Sequence, residues 1–363
     1  MVQENFIHER FRDEYSMKLA VLCDIGREHV RVVFHDMAVM SYRAVAQSVY
    51  VGAKLRQDTV CAEVARAIFT AMRQNGIPSS AVSTVMCAAP MELSCALEDG
   101  LSAVDMFLRP DTEISFIPFI SAHCDGRFAA ELAGPLGILD MQEGTMQVHF
   151  GRSLCLAYYD GEKLITAGIP LAGALDGSGI ESGMPWVQGS IDELTRMEDG
   201  TLCYTVFDDG DSIGIAPSAV LDAVCIMRRE GIIDSDGIMT DRDQFYIGED
   251  YYISQRDVRA VQSDKAKVRA ALDRFVKRVG NVKRCIYTGE AAVRNGLARM
   301  AELGAIPEEL KDGGTGSLVT EGLTRLLSEG EQERFTSLIL ESEDITEQLY
   351  EELDDIYIRN LPF

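Results

Sequence analysis

Two short stretches of this sequence combine a tight glycine turn with groups able to hold an anion or a metal. The first is Asp24-Ile25-Gly26-Arg27-Glu28, within LAVLCDIGREHVRVVFHDM; the second is His149-Phe150-Gly151-Arg152-Ser153, within MQVHFGRSLCLAYYDGEKLI. Each follows an apolar run that reads as a strand and precedes another. Glycine at such a turn lets the backbone approach phosphate oxygens, while Ser, Thr or amide groups donate hydrogen bonds. A repeated x-[IF]-G-R hairpin implies a duplicated unit whose two turns form the jaws of a phosphate clamp. The second copy lacks the acid: His149 stands where Asp24 does. Arg27 and Arg152 hold equivalent places, and two readings stay open for them. They bind a non-nucleotide anion, or they pair with Glu28 and other acids and close the cleft.

The elements that must position these turns alternate between strand and helix, an α/β pattern. Three strands are expected over 18–50. Residues 57–74 have helical spacing and end at Asn75-Gly76. VSTVMCAA is a buried-type strand, a helix follows Pro90 over 91–98, ISFIPFI is a short apolar run, and 126–134 is a helix. The order then repeats. A hairpin spans 146–168, followed by the Gly-rich AGALDGSGIESGM and a hairpin expected in GTLCYTVFDDGDSIGI. Helices are expected over 217–229, 254–279, 290–303, 317–328 and 343–353, with a strand at KRCIYTG. In the longest, Ser254 caps with Asp257 three residues on, and Val258, Val261, Val268, Leu272, Phe275 and Val279 share a stripe. Ile345, Leu349 and Leu353 form another stripe, expected to pack on the body.

With 363 residues and 47% apolar content, the chain has material for a sizeable core and two domains. A formal charge of −24 argues against nucleic acid, whose binders carry a basic footprint. The nine cysteines form no C-x-x-C pair and read as reduced core residues of a cytoplasmic protein, with no iron–sulfur or zinc spacing. No apolar run is long enough to span a bilayer. Residues 1–16 read as an ill-ordered extension or a misassigned start. His123-Cys124-Asp125 reads as loop residues ahead of a helix rather than metal ligands.

The sequence resembles the actin-like (ASKHA) ATPase region of the reductive activators of corrinoid-dependent enzymes, from Met17 onward. ISQRDVRAVQSDKAKVRAAL (253–272) is similar to that family's I-T-Q-x-D-I-R segment. AGALDGSGIESGM (172–184), with Gly173 and Gly177, is similar to its A-G-P-A-F-E-G-x-x-I-x-x-G-M segment. VYVGAKLRQ (49–57) is similar to its Y-G-A-D-V-I-S-R segment. The stretch from Gly289 sits where the family has an adenosine loop, and keeps one glycine of three. The resemblance implies a duplicated actin-like, ribonuclease-H-type α/β fold, with a first lobe over 17–144 and a second over 145–363. It implies ATP-driven electron transfer to a corrinoid protein, with the electron supplied here by a separate iron–sulfur protein.

The nucleotide motifs depart from the family. Its first loop reads roughly D-[IL]-G-T-T-T, where this chain has Arg27, Glu28 and His29 after Gly26. A carboxylate such as Glu28 about 4 Å from a phosphate charge costs roughly 4 kcal/mol at an effective dielectric near 20. Its second loop reads roughly D-I-G-T-N, so His149 replaces an acid, and imidazole is a poor magnesium ligand. His149 otherwise reads as a satisfied histidine at a strand end. Asp24 could still hold magnesium through water. The expectation is a degenerate, non-hydrolysing family member that binds a protein partner, a corrinoid protein or methyltransferase, and is linked to activation of a methyltransferase or a low-potential tetrapyrrole enzyme, with homodimerisation open. No bound cofactor is expected, and ATP with magnesium is expected to bind weakly if at all. The alternative is a working ATP-dependent activator.

Overall fold

Seven consecutive residues, LAVLCDI, are removed from water in β1 (Leu19–Ile25). A strand buried on both faces belongs in the middle of a covered sheet. β1 pairs antiparallel with β2 (His29–Asp36), which pairs antiparallel with β3 (Ser41–Tyr50). On its other side β1 runs parallel to β4 (Val82–Ala88), which runs parallel to β5 (Glu113–Phe116). Helices α1 (Val60–Gln74), α2 (Met91–Gly100) and α3 (Gly126–Ile138) complete this part of the chain. Val60, Val64, Ala67, Ile68 and Ala71 of α1 recur at helical spacing and are buried in the core that contains β1.

This computed structural model describes residues 18–27, 29–37, 41–50, 55–104, 108–118, 124–138, 141–207, 210–240, 242–292, 296–315, 318–351 and 353–363. The expectation for residues 1–16 lies outside them.

The second half repeats the same sheet. β6 (Thr145–Phe150), β7 (Ser153–Tyr159) and β8 (Leu164–Pro170) form an antiparallel meander. β6 then runs parallel to β14 (Arg284–Gly289), and β14 parallel to β15 (Gly314–Thr315). Both sheets therefore place three meander strands and two parallel strands in one order, and the second adds β16 (Glu343–Asp344) beside β8. Between β8 and β14 the second half carries β9 (Ser190–Arg196), β10 (Leu202–Val206), β11 (Gly214–Ile215), α4 (Pro217–Arg229), β12 (Gln244–Ile247), β13 (Tyr251–Ser254) and α5 (Gln255–Val279). Ser254 and Asp257 form the expected capping box of α5, with the Ser254 amide donating to Asp257 Oδ2 at 2.9 Å.

Several expected elements differ. The hairpin expected within 200–215 is not formed. β10 instead pairs with the preceding β9, while β11 lies parallel on the other side of β9. The turn signal that decides this is Asp199-Gly200, where Gly200 has φ 85° and Met197 N donates to Thr201 O at 2.9 Å. The helix expected over 290–303 is a 3-10 turn at Glu290–Ala292 followed by α6 (Gly296–Glu302). That over 317–328 is the shorter α7 (Val319–Arg325), followed by α8 (Glu329–Leu340). That over 343–353 is β16 followed by the short α9 (Thr346–Tyr350), and α10 (Asp354–Asn360) comes after it. Ile345, Leu349 and Leu353 are all buried in the second core, as their spacing implies.

The chain divides into two compact units. One holds Met1–Ile120, Asp125–Asp140 and Leu318–Ser337; the other holds Ser121–Cys124, Met141–Ser317 and Leu338–Phe363. The 318–337 segment thus joins the first unit, where a simple division near residue 144 had put it in the second. Its place follows from helix packing: α7 approaches α3 so closely that a Cβ on Gly322 would lie 1.6 Å from the Ala130 carbonyl oxygen. Gly322→Ala should therefore lower stability by about 2 kcal/mol or more in urea unfolding. Gly330→Ala on α8, where a Cβ would meet nothing within 4 Å, should be neutral or mildly stabilising. Equal midpoints for the two variants would contradict this packing.

Candidate functional site

In open α/β sheets, ligands gather at the carboxyl ends of the parallel strands. In the first unit that end carries Asp24, the β1–β2 turn and, through the Asp24–Ala88 pairing of β1 with β4, the start of α2. Gly26 N donates to His29 O at 2.9 Å and closes the turn, and the His29 ring lies directly over Gly26. Arg27 pairs with Glu92 of α2, and its carbonyl accepts from Leu55 N. Arg27 is thus held by an acid of its own unit. Glu28 lies outside the described residues.

Asp24 is the centre of this end. Its side chain is 1% exposed, and its Oδ1 accepts from Arg127 Nε at 2.7 Å. Arg31 Nη1 stands 4.0 Å from Oδ2. Arg127 reaches it because α3 starts at the same end of the sheet. Asp125 caps that helix by accepting from Phe128 N at 3.0 Å, which gives part of the stretch weighed as a metal site an ordinary structural use. His123 lies outside the described residues. Burial alone would raise the Asp24 carboxyl, but Arg127, His29 and Arg31 outweigh it and hold it below the usual carboxylate range. Burial, helped by Arg127, pushes the neighbouring His29 down to about 4, against the opposing pull of Asp24.

The second unit places its turn at the corresponding strand end with different chemistry. His149 is 5% exposed, and its Nδ1 is 3.1 Å from Thr288 Oγ1 on β14. Gly151 N donates to Ser153 O at 3.2 Å, and Arg152 O accepts from Leu171 N at 3.0 Å, tying the turn to the Gly-rich segment. Gly289 pairs with Phe150 and has φ 92°; a Cβ there would lie 2.0 Å from the Phe150 carbonyl, so only glycine fits. His149, Gly151, Arg152, Ser153 and Gly289 are therefore brought together.

The Gly-rich segment, with Gly173 and Gly177, is fixed by carboxylates of α5. Asp264, fully buried, accepts from the amides of Ala172 and Ala174, the latter at 2.8 Å. Asp257 Oδ1 accepts from Glu181 N at 2.9 Å. Burial pushes the Asp264 carboxyl up to about 6, against the two amides and Lys267, with Asp176 adding to the rise.

Arg127, Arg31, Thr288 and Asp264 were absent from the residues singled out by sequence. Asp264 had a visible signal: Asp257, Val261, Asp264 and Val268 share the buried stripe of α5. A carboxylate on such a stripe demands buried donors. Arg127 had none, since an arginine in the first turn of a helix ordinarily faces water.

The two duplicated sheets and their turn-bearing strand ends define an actin-like ASKHA fold. The chain belongs to the family described as the C-terminal domain of RACo, the ASKHA domain, whose model matches residues 156–361. The corrinoid activation enzyme RamQ of Eubacterium limosum is 24% identical over 188 residues, covering 44% of this chain and 31% of that enzyme. Among solved structures, a reductive activator for corrinoid, iron–sulfur protein superposes with a TM-score of 0.74 at 15% identity, over 95% of this chain and 65% of the other. This chain thus spans less than two thirds of either relative. Among the described residues, no helix is long and apolar enough to cross a membrane, and no cluster of three or more His, Cys, Asp or Glu residues is placed to hold a metal.

The two buried groups give opposite pH dependences. His29 stays neutral when folded but titrates near 6.5 when unfolded, so its contribution is whole above pH 6.5 and lost as pH falls towards 4. Asp264 titrates near 6 folded and 3.8 unfolded, so its contribution is whole below 3.8 and lost as pH rises through 6. Each is worth at most about 3 kcal/mol. Relative to wild type, His29→Gln should gain stability on acidification from pH 7 to 4.5, and Asp264→Asn should lose it. Urea midpoints that track wild type at every pH would contradict both assignments.

Proposed function

We propose that this chain is a degenerate member of the corrinoid-activator family that binds a protein partner without turning over ATP. The partner class is a corrinoid protein, by analogy with the relatives' names, or a methyltransferase that works with one, as the sequence resemblance implies. The observation that supports this best is the second turn. A phosphoryl-transfer site needs positioned charge and a bound metal. Here that turn offers His149, whose imidazole is buried and hydrogen-bonded to Thr288, in place of a carboxylate. Magnesium prefers oxygen ligands, so this substitution removes a group that would hold its hydration shell.

Arg27 points the same way. Of the two readings left open for the turn arginines, its pairing with Glu92 favours internal salt bridges at the first turn.

A second reading is a working ATP-dependent activator that receives electrons from a separate iron–sulfur protein. It is supported by the Gly-rich segment, whose conformation Asp264 and Asp257 hold in place. Phosphate release under magnesium–ATP separates the two. The degenerate reading expects release at the level of a buffer blank, with the chain still co-purifying with an added corrinoid protein. Steady turnover abolished by Asp24→Ala would establish the second reading instead.

A further inference from the structure

We propose that the outer edge of β10 is a docking strand for an extended segment of a partner protein, one that carries Lys or Arg on both sides of an uncharged middle. The proposal rests on the reading that this chain works by binding a protein partner, and assigns where that partner is held.

β10 is the edge of a sheet with the order β10-β9-β11. Its middle residues Cys203, Tyr204 and Thr205 are exposed, Tyr204 at 41%. Met197 N donates to Thr201 O at 2.9 Å and closes the turn from β9. An antiparallel ladder alternates from that pair. Cys203 and Thr205 therefore turn their backbone groups towards β9, while Leu202 and Tyr204 turn theirs outward. Among the described residues, no backbone group bonds to that outer edge. The register irregularity falls between Thr205 and Val206, at the far end of the strand. Natural sheets often blunt such an edge with Lys, Pro or an inward-pointing charge, and LCYTV has none of these.

The surrounding charge decides the occupant. From Met197 to Met227 the sequence has no Lys or Arg. Glu198 and Asp199 lead into β10, Asp211 follows it, and all three are exposed. The turn at Gly248 lies against the Tyr204 ring and carries exposed Glu249 and Asp250. Arg196, opposite Leu202, is paired with Glu230. Arg242 and Arg256 stand at the other end of the β12–β13 hairpin from that turn. A second copy added antiparallel about Tyr204 would bring Asp199 of one chain to the end of β10 that Asp208, Asp209 and Asp211 follow in the other. Like charges so placed oppose pairing. A strand with Lys or Arg at its two ends meets opposite charge instead. Main-chain hydrogen bonds to Leu202 and Tyr204 then hold it, and the flanking charges select it.

Fluorescence anisotropy with the full chain tests this, using a fluorescein-labelled peptide that has two lysines on each side of Val-Thr-Val-Thr-Val. Wild type should bind it at least about tenfold tighter than the same peptide with glutamates in place of the lysines, and added salt should weaken it. Tyr204→Pro removes an outward amide and leaves the ladder with β9 in place, and should weaken binding at least about tenfold. Tyr204→Val, which keeps that amide, should stay within about threefold of wild type. Glu198→Gln combined with Asp211→Asn should weaken binding of the lysine peptide alone. Two peptides that bind equally, or not at all, would overturn the proposal. So would Tyr204→Pro that folds, by circular dichroism, and binds as wild type does. If Tyr204→Pro fails to fold, hydrogen exchange of wild type decides: slowing at Leu202 and Tyr204 on adding the peptide supports the proposal, and its absence there overturns it. A wild-type dimer in sedimentation that Tyr204→Pro dissolves would assign the edge to a second copy and overturn it too. Phosphate release under magnesium–ATP defeats the functional reading and leaves this edge as it is. A peptide that does not bind, while a corrinoid protein still co-purifies, defeats this inference alone.

Discussion

A carboxylate closed off from water must find a counter-charge, and at Asp24 that requirement ties together elements distant in sequence. Asp24 ends the central strand of the first sheet, and Arg127, 103 residues later, starts a helix at the same sheet end. Removing Arg127 would leave the buried Asp24 carboxylate without its 2.7 Å hydrogen bond and with Arg31 4.0 Å away, and breaking a buried pair in this way costs up to about 3–5 kcal/mol. Replacing both with apolar groups could cost little, so the pair is better understood as fixing geometry than as supplying stability. It fixes where α3 begins, and α3 in turn presents Ala130 to Gly322 and brings α7 into the first unit.

The second unit solves the matching problem differently. Its strand end carries a histidine whose Nδ1 shares a hydrogen bond with Thr288 Oγ1. Its buried carboxylates lie further along the chain, on α5, where Asp257 and Asp264 are satisfied by backbone amides of the Gly-rich segment. One sheet order thus supports two kinds of strand end. Where the first unit sets an ion pair at Asp24, the second shows a histidine–threonine hydrogen bond and close backbone contacts such as that of Gly289 with Phe150.

Much of the fold was legible because the relevant signals are local. The repeated hairpin announced the duplication. The helix over 217–229 matches α4, and Ser254 with Asp257 marked the start of α5. β9 was missed because SIDELTR alternates weakly and includes buried polar residues, Ser190 and Asp192, at positions that a pattern reads as solvent-facing. Without β9, the strand at 202–206 was assigned to the wrong neighbour. The candidate turns were legible for the same local reason, since each glycine and its flanking residues lie within one hairpin. Arg127 was not, because pairing across 103 residues leaves no trace in spacing.

Whether Asp24 and Arg127 are energetically coupled decides whether this carboxylate holds the strand end and α3 together. A double-mutant cycle in urea, using Asp24→Asn, Arg127→Gln and the double variant, measures that coupling directly. A favourable interaction of about 2 kcal/mol or more is expected for a buried charge pair of this geometry. Single-variant effects that simply add would show that the carboxylate is not committed to Arg127 and would contradict the account.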